Sequence, residues 1–223
     1  MQRRSCLIGA VAAMSCAREL LVPATAAAAV AGPGAEERDS TRFLPLFPLQ
    51  IVAFPGELVL LHIFEPRYIQ LISESAARGT GFGIVTVVPG GASSIGTEMR
   101  VERILRIYDS GNMDVATRGV RTFELKSFER DVEGKLYSGG RVSFKENDPR
   151  TEPEAQGALV RLFNHMQEDI GSPHKLAAPY PENLSFVIGH DVGLSLEQKL
   201  QLLTISVERD RQKYLLKLLG GTR

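Results

Sequence analysis

Phe43-Leu44-Pro45-Leu46-Phe47-Pro48-Leu49-Gln50, followed by Phe54-Pro55-Gly56 and then His62-Ile63-Phe64-Glu65-Pro66-Arg67-Tyr68, is the most informative segment of this chain. Prolines 45, 48 and 55 punctuate an otherwise apolar run. A proline cannot donate to a sheet ladder, so the run does not read as one long central strand. It predicts short, edge-like strands separated by fixed kinks and delivered into a helix whose first position is Pro66, where a missing amide costs nothing. Phe43, Phe47, Phe54 and Phe64 are expected in the core. Glu65 is expected to complement the helix N-terminus, with Arg67 pairing locally.

Downstream, Phe82-Gly83-Ile84, Gly96-Thr97-Glu98-Met99, Gly111-Asn112-Met113-Asp114 and Glu208-Arg209 continue a recognisable series. Together with the opening segment they resemble the Lon protease N-terminal (LON substrate-binding) domain, from about residue 42 to the C-terminus. The chain is identified as a stand-alone bacterial member, without the ATPase and serine–lysine peptidase domains that lie downstream in Lon. The resemblance implies a PUA-like barrel fold and a role in recognising unfolded or damaged proteins. The signature residues Phe47, Pro48, Phe54, Pro55, Gly56, His62, Phe64, Glu65, Arg67 and Tyr68 are the candidate peptide-binding set.

Residues 1–39 differ in kind from the rest. Arg3 and Arg4 precede an apolar stretch from Cys6 to Cys16, and Ser15-Cys16-Ala17 offers small residues as a cleavage site. That is the layout of a secretory signal, and it falls short of the roughly 20 apolar residues a membrane span needs. Ala24–Ala31 with Gly32-Pro33-Gly34 reads as low-complexity linker. The reading taken is a disordered or misassigned leader ahead of a cytoplasmic domain. Export is the alternative, and an organelle transit peptide a third.

The periodicity then divides the chain. Tyr68, Leu71, Ile72 and Ala76 lie at helical spacing, with Gly79 where a left-handed cap belongs. Strands are predicted at Phe82–Val88, at Met99–Tyr108 with Met99, Val101, Leu105 and Ile107 on one face, at Met113–Thr117, around Phe123–Ser127, and from Tyr137 to Phe144. Asp109-Ser110-Gly111-Asn112 and Glu133-Gly134-Lys135 supply turns. From Asn147-Asp148-Pro149 onward the pattern is helical. Thr151 with Glu154 reads as a capping box for a stripe of Ala155, Ala158, Leu159, Leu162, Phe163, Met166 and Ile170. A short helix ending at Gly193 follows. Ser195 with Gln198 is a second box, and a break at Thr204-Ile205-Ser206 restarts the last helix with Ser206 as cap. The expected fold class is α+β: an antiparallel PUA-like β-barrel with one short helix (residues 40–148) and a helical subdomain (149–223), together one substrate-binding domain.

Composition excludes several function classes. Lys plus Arg and Asp plus Glu are 26 each, so the formal charge is zero, which argues against a nucleic-acid module relying on a basic surface, local patches aside, and no nucleic acid is expected. Both cysteines lie at positions 6 and 16, which leaves the domain without a thiol nucleophile or disulfide. No P-loop spacing is present, and Gly79, Gly81 and Gly83 follow a helix and precede a strand, the reverse of a dinucleotide fingerprint. The four histidines (62, 165, 174, 190) lack metal-ligand spacing, and no Gly-x-Ser-x-Gly elbow occurs. His190 and Asp191, being helical neighbours, point in different directions. No cofactor or metal and no catalytic residue is expected. The functional expectation is a non-enzymatic polypeptide-binding module linked to quality control, its partners being unfolded or damaged polypeptides and a separately encoded protease. The alternatives are a PUA-like RNA or small-ligand domain, or an adaptor docking a folded partner. Oligomeric state is not legible.

Overall fold

The computed structural model describes residues 41–221. The leader reading of residues 1–39 lies outside them. Strands β1 (Arg42–Leu49), β2 (Leu58–Ile63), β3 (Phe82–Val88), β4 (Gly91–Ile107), β5 (Met113–Glu129) and β6 (Gly139–Phe144) precede four of the five helices. Helix α1 (Pro66–Arg78) falls between β2 and β3, and α2 (Pro153–Asp169), α3 (Leu184–Asp191), α4 (Leu196–Thr204) and α5 (Glu208–Gly220) follow β6. The fold is α+β.

The strand order is β2-β5-β4-β3-β1-β6, and β5 also pairs with β6. Hydrogen-bonded neighbours therefore return on themselves through β5, β4, β3, β1 and β6, while β2 hangs on the outside of β5. The sheet is mixed and not purely antiparallel as expected, because β1 and β3 run parallel.

The proline-rich segment corrects a second expectation. β1 is one strand between two neighbours, not a series of edge pieces. It changes partner midway: Arg42–Pro45 pair with β6, and Leu46–Leu49 pair with β3. Each half needs ladder bonds on one side only, so Pro45 and Pro48 both fit without an orphaned acceptor across from them.

β4 and β5 form a hairpin of two 17-residue strands, longer than the predicted pieces. Gly111, at φ 85°, makes its turn. Register shifts between Val101 and Arg103 and between Ile104 and Arg106 break the period-2 alternation. Met99, Val101, Leu105 and Ile107 consequently do not share a buried face: Met99 is buried, whereas Leu105 and Ile107 are exposed. β5 runs unbroken past Gly119, where any Cβ would lie 2.1 Å from the Phe54 carbonyl oxygen.

α1 begins at Pro66 and ends at Gly79, which takes the left-handed conformation (φ 62°). α2 corrects the capping box at Thr151. Pro153 occupies the first turn and forces Glu152 into extended geometry (φ −120°, ψ 114°), so Glu152, not Thr151, is the N-cap. Ile170, at the end of the expected stripe, is exposed. The box at Ser195 and Gln198 forms with both of its bonds. The break before α5 is present, one residue later than expected, with Val207 as N-cap instead of Ser206.

Two large apolar clusters hold these elements. One joins α1 to the sheet through Phe47, Tyr68, Leu71, Ile72, Phe82 and Met99. The other joins the helices to the segment before β2 through Val52, Phe54, Leu159, Phe163, Phe186 and Leu202.

Candidate functional site

Residues 50–57, the loop between β1 and β2, are held by polar side chains that are buried (Thr86, Thr97) or half-buried (Glu57, Asn183). The hydroxyls of Thr86 and Thr97 donate to the carbonyls of Ile51 (2.8 Å) and Ala53 (2.6 Å). Asn183 Nδ2 donates to the Pro55 carbonyl at 2.7 Å, and the Phe54 amide donates to Glu57 Oε2 at 2.8 Å. Gly56 has φ 86° and its amide donates to Gly119 O at 2.9 Å. A Cβ at Gly56 would meet Asn183 Nδ2 at 2.5 Å. Phe54 is buried and stacks on Phe186 of α3, with centroids 5.0 Å apart. Phe47 stacks on Tyr68 of α1 at 3.9 Å. Five of the ten signature residues (Phe47, Phe54, Pro55, Gly56 and Tyr68) thus brace loops and helices, while Pro48 lies half-buried in β1.

The others face outward. β2 pairs residue by residue with β5, Leu58 opposite Arg118, Leu60 opposite Ala116 and His62 opposite Asp114. Its even-numbered residues and the following Phe64 point away from the core, Leu60 being 66% and Phe64 61% exposed. The expectation that Phe64 is core is therefore wrong. Phe64 lies just past β2 on the exposed side, so the core-facing position falls to Ile63, which is buried. Phe43 is likewise half-exposed on β1.

Around Phe64 the polar residues are ordered. His62 Nδ1 lies 2.6 Å from Asp114 Oδ1, and the Tyr108 hydroxyl donates to Asp114 Oδ2 at 2.6 Å. The Tyr108 bond, then that of His62, holds the Asp114 carboxyl below the usual carboxylate range. The imidazole of His62 stacks near Phe64 at 6.1 Å. Glu65 makes no side-chain cap to α1; it pairs with Arg67 at 2.6 Å, and the Arg67 guanidinium lies 4.7 Å over Tyr68. The local pairing expected of Arg67 is present, and Glu65 serves it instead of bonding the helix amides.

A cavity of about 410 Å³ opens between the loop before β2 and α3, lined by Phe54, Leu58, Phe186 and Val187 beneath His174, His190, Glu57 and Asp191. His190 Nδ1 pairs with Glu57 at 3.1 Å, and its Nε2 lies 4.0 Å from the neighbouring Asp191. Asp191 instead takes His174 at 3.1 Å. Each imidazole has its own carboxylate, and among the described residues no group of three or more His, Cys, Asp or Glu side chains could hold a metal ion.

Sequence reasoning missed two features. Leu58-Val59-Leu60-Leu61 reads as a uniformly apolar run, and nothing in it says that Leu58 and Leu60 are exposed. The second is a buried cluster at the start of α5. The Glu208 carboxylate accepts from Ser185 N (2.8 Å), Ser185 Oγ (2.6 Å), Gln212 Nε2 (2.9 Å) and Arg211 Nη2 (2.8 Å). Asn183 gives α3 no side-chain cap, so Glu208 supplies from another helix the acceptor that α3's first turn requires. Arg211 donates further to the carbonyls of Ile205 and Ser206 and to Asn147, and lies 4.3 Å over Phe186. Burial pulls its guanidinium below its ordinary pKa, against the opposing attraction of Glu208.

Comparison with known proteins bears directly on this arrangement. The model of the ATP-dependent protease La (LON) substrate-binding domain matches residues 43–220. The chain belongs to that family. It is 26% identical over 190 residues to the Lon protease of Flavobacterium johnsoniae, covering 75% of this chain and 22% of that protein. It is also 26% identical over 206 residues to the Lon protease of Anaeromyxobacter dehalogenans, covering 84% and 24%. The chain thus spans less than a quarter of the length of the curated relatives it matches. A Lon N-terminal domain protein from Xanthomonas campestris superposes with a TM-score of 0.63 at 29% identity, covering 79% of this chain and 98% of that one. The N-terminal domain of Mycobacterium avium complex Lon protease shares the fold, with a TM-score of 0.62 at 16% identity over 82% of this chain and 100% of the other. A LON substrate-binding domain is a binding domain of a protease system. Among the described residues no helix is long and apolar enough to cross a membrane.

Proposed function

We propose that the chain is a non-enzymatic polypeptide-binding module that takes exposed apolar segments of unfolded or damaged proteins and serves protein quality control. The observation that carries this reading is the outward row Leu58, Leu60 and Phe64, three large apolar side chains on and just beyond an outer strand. Such a patch costs solubility and is kept where something binds it. Membership of a substrate-binding family supports the same reading, with polypeptide as the substrate. Of the signature residues, His62, Phe64, Glu65 and Arg67 lie where a client would meet them, and Phe47, Phe54 and Tyr68 hold the platform. A cytoplasmic setting and a separately encoded protease that receives the client belong to the same proposal.

The experiment is titration of the full chain with a reduced, permanently unfolded model protein and with its native form. Preference for the unfolded form is expected. Phe64→Ala and Leu60→Ser should each weaken it about tenfold, in keeping with the transfer energy of one large side chain. Equal affinity for the native form, or unchanged binding in both variants, would overturn the proposal.

A further inference from the structure

Among the described residues β2 has a strand neighbour on one side only, namely β5. Which backbone groups face its open side follows from the antiparallel alternation. The Gly119 amide donates to the Glu57 carbonyl at 2.9 Å, and the Thr117 hydroxyl donates to the Val59 carbonyl at 3.0 Å. Odd-numbered residues of β2 therefore turn their peptide groups toward β5. The N–H and C=O groups of Leu58, Leu60 and His62 are left along the free edge. Natural edges of this kind are usually blunted by proline, lysine, a bulge or a covering segment. β2 has none of the first three: it reads Leu-Val-Leu-Leu-His-Ile, in continuous register with β5.

The charge left unpaired on the same face is positive. Across β5, Arg103 pairs opposite Ala116 and Arg106 opposite Asp114. The neighbouring carboxylates are already committed, Glu102 to Arg118 and Asp114 to Tyr108 and His62. Arg106 lies 4.5 Å over the Tyr108 ring, and neither Arg103 nor Arg106 enters a salt bridge among the described residues.

We infer that β2 captures its client by strand addition, and that the preferred client is an extended apolar segment flanked by acidic residues. This rests on the reading of the chain as a polypeptide-binding module and names the substrate class and binding mode. Main-chain bonds to Leu58, Leu60 and His62 supply sequence-tolerant affinity. Alternate client side chains lie beside Leu58, Leu60 and Phe64, and client carboxylates are drawn at low salt by the longer-range field of Arg103 and Arg106, which lie on β4, two strands in from β2.

The test uses the full chain and nine-residue fluorescent peptides with an alternating Leu/Val centre, flanked by Glu or by Lys. Two further Glu-flanked peptides carry backbone N-methyl groups on alternate residues, one in each register. N-methylation in one register should weaken binding by about tenfold or more, since each lost hydrogen bond contributes up to about 1.5 kcal/mol. The other register should bind like the parent. The amides of Leu58, Leu60 and His62 should become protected from hydrogen exchange. The Glu-flanked peptide should bind several-fold tighter than the Lys-flanked one at low salt, and Arg103→Gln, which leaves the Arg106–Tyr108 contact in place, should narrow that difference without moving the melting temperature. If both methylated peptides bind like the parent, or no peptide binds while the unfolded model protein still does, strand addition is overturned and the broader binding function stands. Equal binding of Glu- and Lys-flanked peptides overturns the charge preference. Loss of unfolded-protein binding as well removes the functional reading itself.

Discussion

Phe54 and Phe64 stand ten positions apart in one motif and have opposite roles. Phe54 is 1% exposed and stacked on Phe186, so Phe54→Ala should cost about 3–5 kcal/mol in a denaturant melt. Phe64→Ala should leave stability within about 0.5 kcal/mol, as exposed positions generally do, and show its effect on client binding. A large stability loss at Phe64 would mean that the ring is covered in the folded protein. Glu208 is the other decisive residue. With Glu208 at 0% and Arg211 at 1% side-chain exposure, Glu208→Ala leaves a buried guanidinium without its carboxylate and the α3 terminus without its acceptor. A loss of about 3–5 kcal/mol is expected, read as a shift in the urea midpoint. Glu208→Gln should recover part of it, because the amide oxygen still accepts from Ser185 N.

At the scale of elements, α1 is fastened to the segment before β6 through Glu74. Lys135 Nζ lies 2.7 Å from Glu74 Oε2, and the Tyr137 hydroxyl donates to the same carboxylate at 2.9 Å. The lysine bond, ahead of the tyrosine bond, holds the Glu74 carboxyl below its ordinary value. Burial, then the Glu74 bond, pushes Tyr137 up to about 12. The folded state thus favours the protonated phenol. Its contribution is complete below the ordinary value of 10.0 and is lost as pH climbs through about 12. Glu74 acts in the opposite range: its contribution is present above 4.5 and fades as pH falls through its lowered value. Melting temperatures measured from pH 9 to pH 12 should fall less steeply in Tyr137→Phe than in the parent. Parallel slopes would show that the phenol ionises as freely in the folded chain as in the unfolded one.

For the whole molecule, the ordered series from β1 to α5 closes its clusters among residues 44–219. A chain shortened to begin at Ser40 should therefore unfold cooperatively at the melting temperature of the full chain. A lower or broadened transition would make the first forty residues part of the fold. Within the described residues each of the four histidines lies within 3.1 Å of a carboxylate, an arrangement suited to bracing surfaces.

Some of this was legible in the residues alone. Pro66 starting α1, Gly79 capping it, the Gly111 turn, the box at Ser195 and Gln198 and the break before α5 all depend on local backbone chemistry, which a few neighbouring residues determine. Of the family signature, Gly56 was legible for the same reason, its left-handed turn, whereas Phe47, Phe54 and Tyr68 are demanded by packing between distant segments. What tertiary structure alone decided was which side of each element meets another. A proline-bearing strand became internal because its two halves take different partners. The apolar run of β2 became an exposed edge because no strand among the described residues lies beyond it. Glu208 became a buried cap because α3, 23 residues earlier, offers Ser185 to it. Those outcomes depend on contacts between segments distant in sequence, and period and spacing within one segment carry no record of its neighbours.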